Sequence, residues 1–333
     1  MKRLLTTLLV FGIVIYGSSI ALFFFSKQNN ITDWTSKTFV TASLAQDLSI
    51  ANAPCDERRA VVHRVSQLSG KHFTHLIIGS SRVMQLGKYT GFKNALNLAV
   101  SGASFEDLKI ILQLVNDNHI QFDSLHLDFN PWYAAPSNDD KFKLFDFQNN
   151  VKEGLKDIAL FRFGKSDLIS MIPSLNYQPL IASPEASTSH IIFNDGSIKQ
   201  KTNFEEKRIK TINYSITNLY HKLRDFYHID SGYLNQVFAF YHALSKEKPT
   251  TIYLSPFHPK LFEAYHSDTR IQNILLSERL FRKYCADIPS KGSFANNKDY
   301  IEVEDSQFLD AMHISEVAIR KLFYSPPSTT AHE

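Results

Sequence analysis

The sequence predicts an α/β fold built on a central parallel sheet, placed behind an N-terminal transmembrane helix and carrying a mid-chain insertion. Three observations lead there. Short β-branched or aliphatic runs end at turn residues, stretches of helical periodicity separate them, and one long uncharged run opens the chain. Strand, helix and strand in units of this length suit a parallel sheet with crossover helices.

The opening run is Leu4 to Ser26, preceded by Lys2 and Arg3 and ended by Lys27. At about 1.5 Å per residue it forms a helix of about 35 Å, long enough for a bilayer core. Its end, Leu22-Phe23-Phe24-Phe25, suits a cleavage site poorly, so the run reads as an uncleaved anchor, with a cleaved signal peptide as the alternative. The basic flank keeps the N-terminus cytoplasmic and places the remainder outside, as a single-pass protein with an extracytoplasmic domain in the periplasm or at the cell surface. Residues 1–28 are thus the anchor and 29–55 a polar juxtamembrane stalk. The domain occupies 56–325, and 326–333 form a flexible tail.

Inside the domain, a helix over Glu57 to Leu68 leads into the buried strand Phe73 to Ile78, which stops at the turn GSSR. A second strand runs from Ala95 to Val100. The next helix is announced by Ser104 with Asp107 three positions on, a capping-box pattern, and continues as Phe105, Leu108, Ile111, Leu112 and Val115. The strand Ser124 to Phe129 follows and is halted by Asn130 and Pro131. From about 135 to 204, Ser-, Asn- and Pro-rich patches without sustained periodicity read as the insertion. Helical segments at Phe204 to Phe226 and Tyr233 to Leu244 precede the strand Thr250 to Leu254 and the turn SPFHP. Another helix over Ile271 to Tyr284 comes before DAMHIS and a last amphipathic helix.

Composition narrows the function. With 44% hydrophobic and 21% charged residues, the chain lies in the globular range. Its 36 Lys and Arg against 33 Asp and Glu are scattered, and the aromatics do not alternate with basic residues, so nucleic acid is not an expected partner. No metal ligand set or cofactor motif is legible among the histidines and the two cysteines. Cys55 and Cys285 lack the CxxC spacing; in an oxidising compartment they form a disulfide or remain two separate buried thiols.

The residues that suggest chemistry are a serine, an acid and a base. Ser81 in GSSR follows a buried strand, where Gly79 eases a tight turn and the hydroxyl can stand at the carboxyl edge of the sheet. Asp310 and His313, three apart, can sit side by side on one turn, the carboxylate holding the ring while its other nitrogen faces a serine. Taken singly, both patterns are common; their order along the chain makes the combination informative.

With these residues in view, the chain resembles the SGNH/GDSL-like hydrolase superfamily. GSSR, Gly79 to Arg82, is similar to the first block and places Ser81 as nucleophile. NLAVSGAS, Asn97 to Ser104, resembles the second and implies that the Gly102 N–H helps form an oxyanion hole. LDFNPW, Leu127 to Trp132, resembles the third, with Asn130 as its asparagine, and DAMH, Asp310 to His313, resembles the last. The resemblance covers about a third of the chain and departs from the pattern twice. Ser80 stands where the GDS form has an acid, and Asp128 stands where a glycine precedes the asparagine.

What the resemblance implies is a three-layer α/β/α domain and a serine esterase or O-acyltransferase that needs no cofactor. Ser81, Asp310 and His313 would be catalytic, with oxyanion donors from Ser81, Gly102 and Asn130. Arg82, Asp128 and His258 are candidates for substrate contacts. With its anchor, the chain looks most like exported proteins serving polysaccharide O-acetylation or teichoic acid D-alanylation. That likeness implies an acylated glycan or polysaccharide substrate and a multispanning membrane acyltransferase as partner. The alternative from another class is a non-catalytic assembly or carbohydrate-binding protein on the same fold. The sequence leaves open the acyl group, the acceptor and hydrolysis against transfer.

Overall fold

The computed structural model describes residues 57–134, 190–200, 205–222, 226–287, 294–296 and 303–324, together with positions 7, 10, 12, 16, 17, 36, 37, 39–44, 50 and 51. The predicted span Leu4 to Ser26 lies outside the described residues except for Thr7, Val10, Gly12, Tyr16 and Gly17, which are helical. Among the described residues no helix is long and apolar enough to cross a membrane. Cys55, most of the insertion and the tail also lie outside them.

The fold is α/β, with a central parallel sheet flanked by helices. Strands β2 (His72–Ile78), β3 (Ala95–Asn97), β4 (Gln121–Asp128), β7 (Thr250–Tyr253) and β8 (Phe294–Asn296) lie in the order β3-β2-β4-β7-β8. Every neighbouring pair is parallel. The chain therefore leaves β2 toward β3 on one side and reaches β4 on the other. The β2/β4 boundary is the switch point at which such sheets open a crevice beyond their carboxyl ends.

Alternation along the strands covers both faces of this sheet. Leu76, Ile78, Leu125, Leu127 and Ile252 join a core with helices α1 (Glu57–Gln67), α2 (Phe105–Asp117) and α4 (Ser231–Glu247). Ile77 and Tyr253 enter a second core with α3 (Glu205–Lys222), α5 (Pro259–Ala264), α6 (Thr269–Asp287) and α7 (Glu316–Tyr324). The predicted cap of α2 is present. Ser104 Oγ accepts from Asp107 N at 3.2 Å and Asp107 accepts from Ser104 N at 2.8 Å, so the shorter Asp closes the box as Glu would.

Two expectations change. The strand over Ala95 to Val100 ends at Asn97, whose carboxamide folds back on its surroundings. Its Nδ2 donates to the carbonyls of Val83, Met84 and Leu86, and its Oδ1 accepts from Ala99 N at 2.9 Å, while Leu98 N and Val100 N still reach Ile77 O and Gly79 O beyond the strand's end.

The predicted stalk and insertion are also not wholly separate from the domain. Strands β5 (His190–Ile192) and β6 (Ile198–Gln200) form a hairpin that pairs with β1 (Ile50–Ala51) in a second, three-stranded sheet. The hairpin docks through Asn97 N to Asp195 O at 2.7 Å and Ile198 N to Met84 O at 2.7 Å. Its turn needs Gly196, at φ +91°, because a Cβ there would meet the Asn97 carbonyl. Phe39 and Val40, in the expected stalk, are buried with Ala60 and Ile192. Apolar side chains hold these segments to α1, where a polar sequence suggested a free tether.

Candidate active site

The turn after β2 presents the serine. Ile78 is the last buried residue of the strand, and Val83 N donates to Ser80 O at 3.1 Å, closing a turn around Ser81 and Arg82. Gly79 is required here by a close approach: a Cβ would stand 2.7 Å from Asp128 Cγ and 2.7 Å from Val83 Cγ2. Ser81 itself is half-buried, and among the described residues its N–H has no hydrogen-bond acceptor.

From the far end of the chain, the segment before α7 brings the acid and base to the same place. Asp310 Oδ1 accepts from the N–H groups of Met312 at 2.9 Å and His313 at 2.8 Å, forming the turn that puts carboxylate beside ring. Asp310 Oδ2 lies 2.7 Å from His313 Nδ1, and His313 Nε2 lies 2.8 Å from Ser81 Oγ. A carboxylate can only accept, so Nδ1 carries the proton and Nε2 is left to accept from the serine hydroxyl. Burial pushes the Asp310 carboxyl upward, but the His313 ring, its charge and the two backbone N–H groups outweigh this and hold it below the usual carboxylate range.

The base loop is fastened on several sides. His258 N donates to Ala311 O at 2.9 Å, Ala311 N donates to Ser215 Oγ of α3 at 2.8 Å, and Gln85 Nε2 donates to Ile314 O at 2.9 Å. Gln85 lies on the turn that carries Ser81, so that turn also holds the loop of His313.

Gly102 adopts φ +57° in the loop between β3 and α2. The preceding Ser101 is clamped by α1. Its N–H and hydroxyl both donate to the Glu57 carboxylate, at 2.5 and 3.0 Å, while its carbonyl accepts from Arg58 at 3.3 Å. Asn130 follows β4 and is fully buried. Its Nδ2 donates to Asp128 at 2.7 Å and its Oδ1 accepts from Arg82 at 3.2 Å.

Two of the three expected substrate contacts need correction. Arg82 is 3% exposed, and Asp128 and His258 are 0% exposed, so a substrate cannot touch the latter two in this arrangement. Arg82 lies over the Phe257 ring at 4.1 Å and binds Asn130. Asp128 accepts from Ser80 N at 3.0 Å, Ser80 Oγ at 2.5 Å and Tyr133 OH at 3.0 Å as well as from Asn130. Burial raises its pKa above the usual carboxylate range, opposed by those hydrogen bonds and by the Arg82 charge. His258 caps α5, its Nδ1 accepting from Lys260 N at 3.2 Å.

The clamps from Glu57, Gln85 and Ser215 escaped sequence reasoning, since nothing local marks a side chain that serves a distant loop. Asp128 did carry a signal: an acid at the end of an apolar strand must find donors. Among the described residues no group of three or more His, Cys, Asp or Glu side chains is set to hold a metal ion. No family model matches the chain, and neither a curated protein nor a solved structure matches it.

Proposed function

We propose that the chain is a serine-dependent acyl-ester hydrolase or O-acyltransferase with an SGNH-like domain, acting on an acylated glycan or polysaccharide of the cell envelope. The observation that carries this reading is the continuous line from Asp310 through His313 to Ser81, at 2.7 and 2.8 Å. A serine hydroxyl becomes a nucleophile when a base oriented by a third group takes its proton, and these three side chains meet that requirement. The sheet order adds support, because Ser81 and Asn130 follow the two strands that flank the switch point.

In the reaction, His313 Nε2 takes the Ser81 proton as Oγ attacks the ester carbonyl. The negative charge on the carbonyl oxygen is met by the N–H groups of Ser81 and Gly102, each such donor being worth about 10²–10³ in rate. Asn130, expected as a third donor, is 0% exposed with its Nδ2 on Asp128 and its Oδ1 on Arg82, so it does not face the oxyanion in this arrangement. The imidazolium then protonates the leaving alcohol, and an acyl group remains on Ser81. Water activated by His313 completes hydrolysis; a sugar hydroxyl in its place completes transfer. The Glu57 clamp on Ser101 keeps the Gly102 loop in position throughout.

The membrane anchor and a multispanning acyltransferase partner belong to the same proposal and rest on the uncharged run Leu4 to Ser26 with its basic flank. The activity test is turnover of p-nitrophenyl acetate and of an acetylated polysaccharide by the full chain, with labelling of Ser81 by a fluorophosphonate. Loss of both in Ser81→Ala is expected, and undiminished turnover by that variant would overturn the proposal. A C-terminal reporter that is active only in the cytoplasm should stay silent; activity would refute the orientation.

A further inference from the structure

The carboxylate of Asp128 lies deep in the fold, and the chemistry above makes no use of it. It is 0% exposed, and four donors converge on it: the N–H and hydroxyl of Ser80, Asn130 Nδ2 and Tyr133 OH. A buried charge is costly unless so satisfied, and removing one partner from such a network strands the others. Gly79 has no room for a side chain because the carboxylate fills that space.

The contacts form a closed circuit. Ser80 binds Asp128, Asp128 binds Asn130, and Asn130 binds Arg82. Ser81 is the single residue that joins Ser80 to Arg82 along the chain, so both of its neighbours are held by the same network. The circuit also fixes which way the Asn130 amide faces. A guanidinium can only donate, so it takes Oδ1; a carboxylate can only accept, so it takes Nδ2. Reversing the amide would face two donors and two acceptors against each other.

We propose that Asp128 is a positioning residue: it locks the nucleophile turn after β2 to Asn130 after β4, with Arg82 closing the circuit from the other side. The inference rests on the reading of Ser81 as nucleophile. Its effect is geometric, since a misplacement of about 1 Å in a catalytic group can cost about 10²-fold in rate.

The test uses the full chain with p-nitrophenyl acetate as substrate and a fluorophosphonate as titrant of Ser81. Asp128→Asn keeps the shape but presents an NH₂ group to partners that are themselves donors. It should lower kcat per titrated site by about 10- to 100-fold with KM changed less than about threefold, while labelling still runs to completion, only more slowly. Ser80→Ala, which removes one of the four donors and leaves the other three, should show the same pattern at about 3- to 10-fold. In an Asn130→Ala background the Asp128→Asn change should cost less than about threefold, because one circuit cannot be broken twice.

A purely structural role would give fewer titratable sites with unchanged kcat per site, and that result would overturn the inference. Full additivity of Asp128→Asn and Asn130→Ala would overturn it too. Wild-type behaviour of both Asp128→Asn and Ser80→Ala beside an inactive Ser81→Ala would sink this inference and leave the triad standing. Turnover by Ser81→Ala, or a wild-type chain that neither turns over nor labels, would remove the triad and this inference together.

Discussion

Acidification from pH 7 to pH 5 should weaken the fold by about 2 kcal/mol through His126 alone. This side chain projects from β4 and is 7% exposed, packed beside Phe92 and Tyr253. Its Nδ1 lies 2.9 Å from Tyr253 OH and its Nε2 lies 3.1 Å from His75 Nδ1, with the Phe92 ring edge-on at 5.0 Å between centroids. Burial, with a smaller contribution from His75, lowers its pKa from 6.5 to about 3. The unfolded chain therefore binds a proton below pH 6.5 that the native chain refuses, so stability is full above that value and falls as pH drops toward 3. Each pH unit inside this window costs about 1.36 kcal/mol, giving about 2 kcal/mol by pH 5 and a limit of about 5 kcal/mol. His75 is lowered too, chiefly by burial, and adds in the same direction. Urea unfolding of wild type and His126→Gln, followed by tryptophan fluorescence at pH 7, 6 and 5, isolates the effect. The variant should be less stable at pH 7 yet flatter with pH, and equal pH slopes in the two proteins would refute the reasoning.

The triad predicts its own mutational pattern. Ser81→Ala or His313→Ala should lower acyl-ester turnover by about three to six orders of magnitude, the double variant should lose little more, and Asp310→Ala should be milder; initial rates per folded chain decide this. Gly79→Ala should destabilise by about 1–3 kcal/mol and slow turnover, since the added methyl must displace Asp128 or Val83; paired denaturation and rate measurements check it. If the domain is exported and the two cysteines are close in the fold, Cys55 and Cys285 should be disulfide-bonded, and alkylation of freshly isolated, unfolded protein should find no free thiol at either.

The strands β2, β4 and β7 were legible because their apolar runs are short, bounded and buried on both faces. The same logic set the turn of Ser81, since Gly79 closes a run of three residues that are 0% exposed, Leu76 to Ile78. Asp310 and His313 were legible because their spacing is local. What was hidden depends on contacts across the sequence. Asp128 and Ser80 read as two separate departures from the pattern the chain resembles, yet in the fold they touch, the Ser80 hydroxyl donating to the Asp128 carboxylate at 2.5 Å. Arg82 invited a substrate role because its charge can pair with a carboxylate and His258 because it follows a strand, but both are buried, Arg82 against Phe257 and His258 against Phe308. The hairpin β5–β6 went unseen because three-residue strands carry too little periodicity to register.

Ser81 and His313 meet at 2.8 Å across a sequence separation of 232 residues. Chains are synthesised N-terminus first at about 5–20 residues per second, so roughly 10 to 50 s pass between the making of the nucleophile and the making of its base. By the later part of that interval β2, β3, β4 and β7 have all been made while the Ser81 hydroxyl still lacks its His313 partner. A nascent or truncated chain can thus hold most of its sheet and have no chemistry. Under the proposed function, acyl-ester turnover would begin only once Asp310 and His313 have been made and folded against Ser81, so it would report on that late contact and not on the sheet alone.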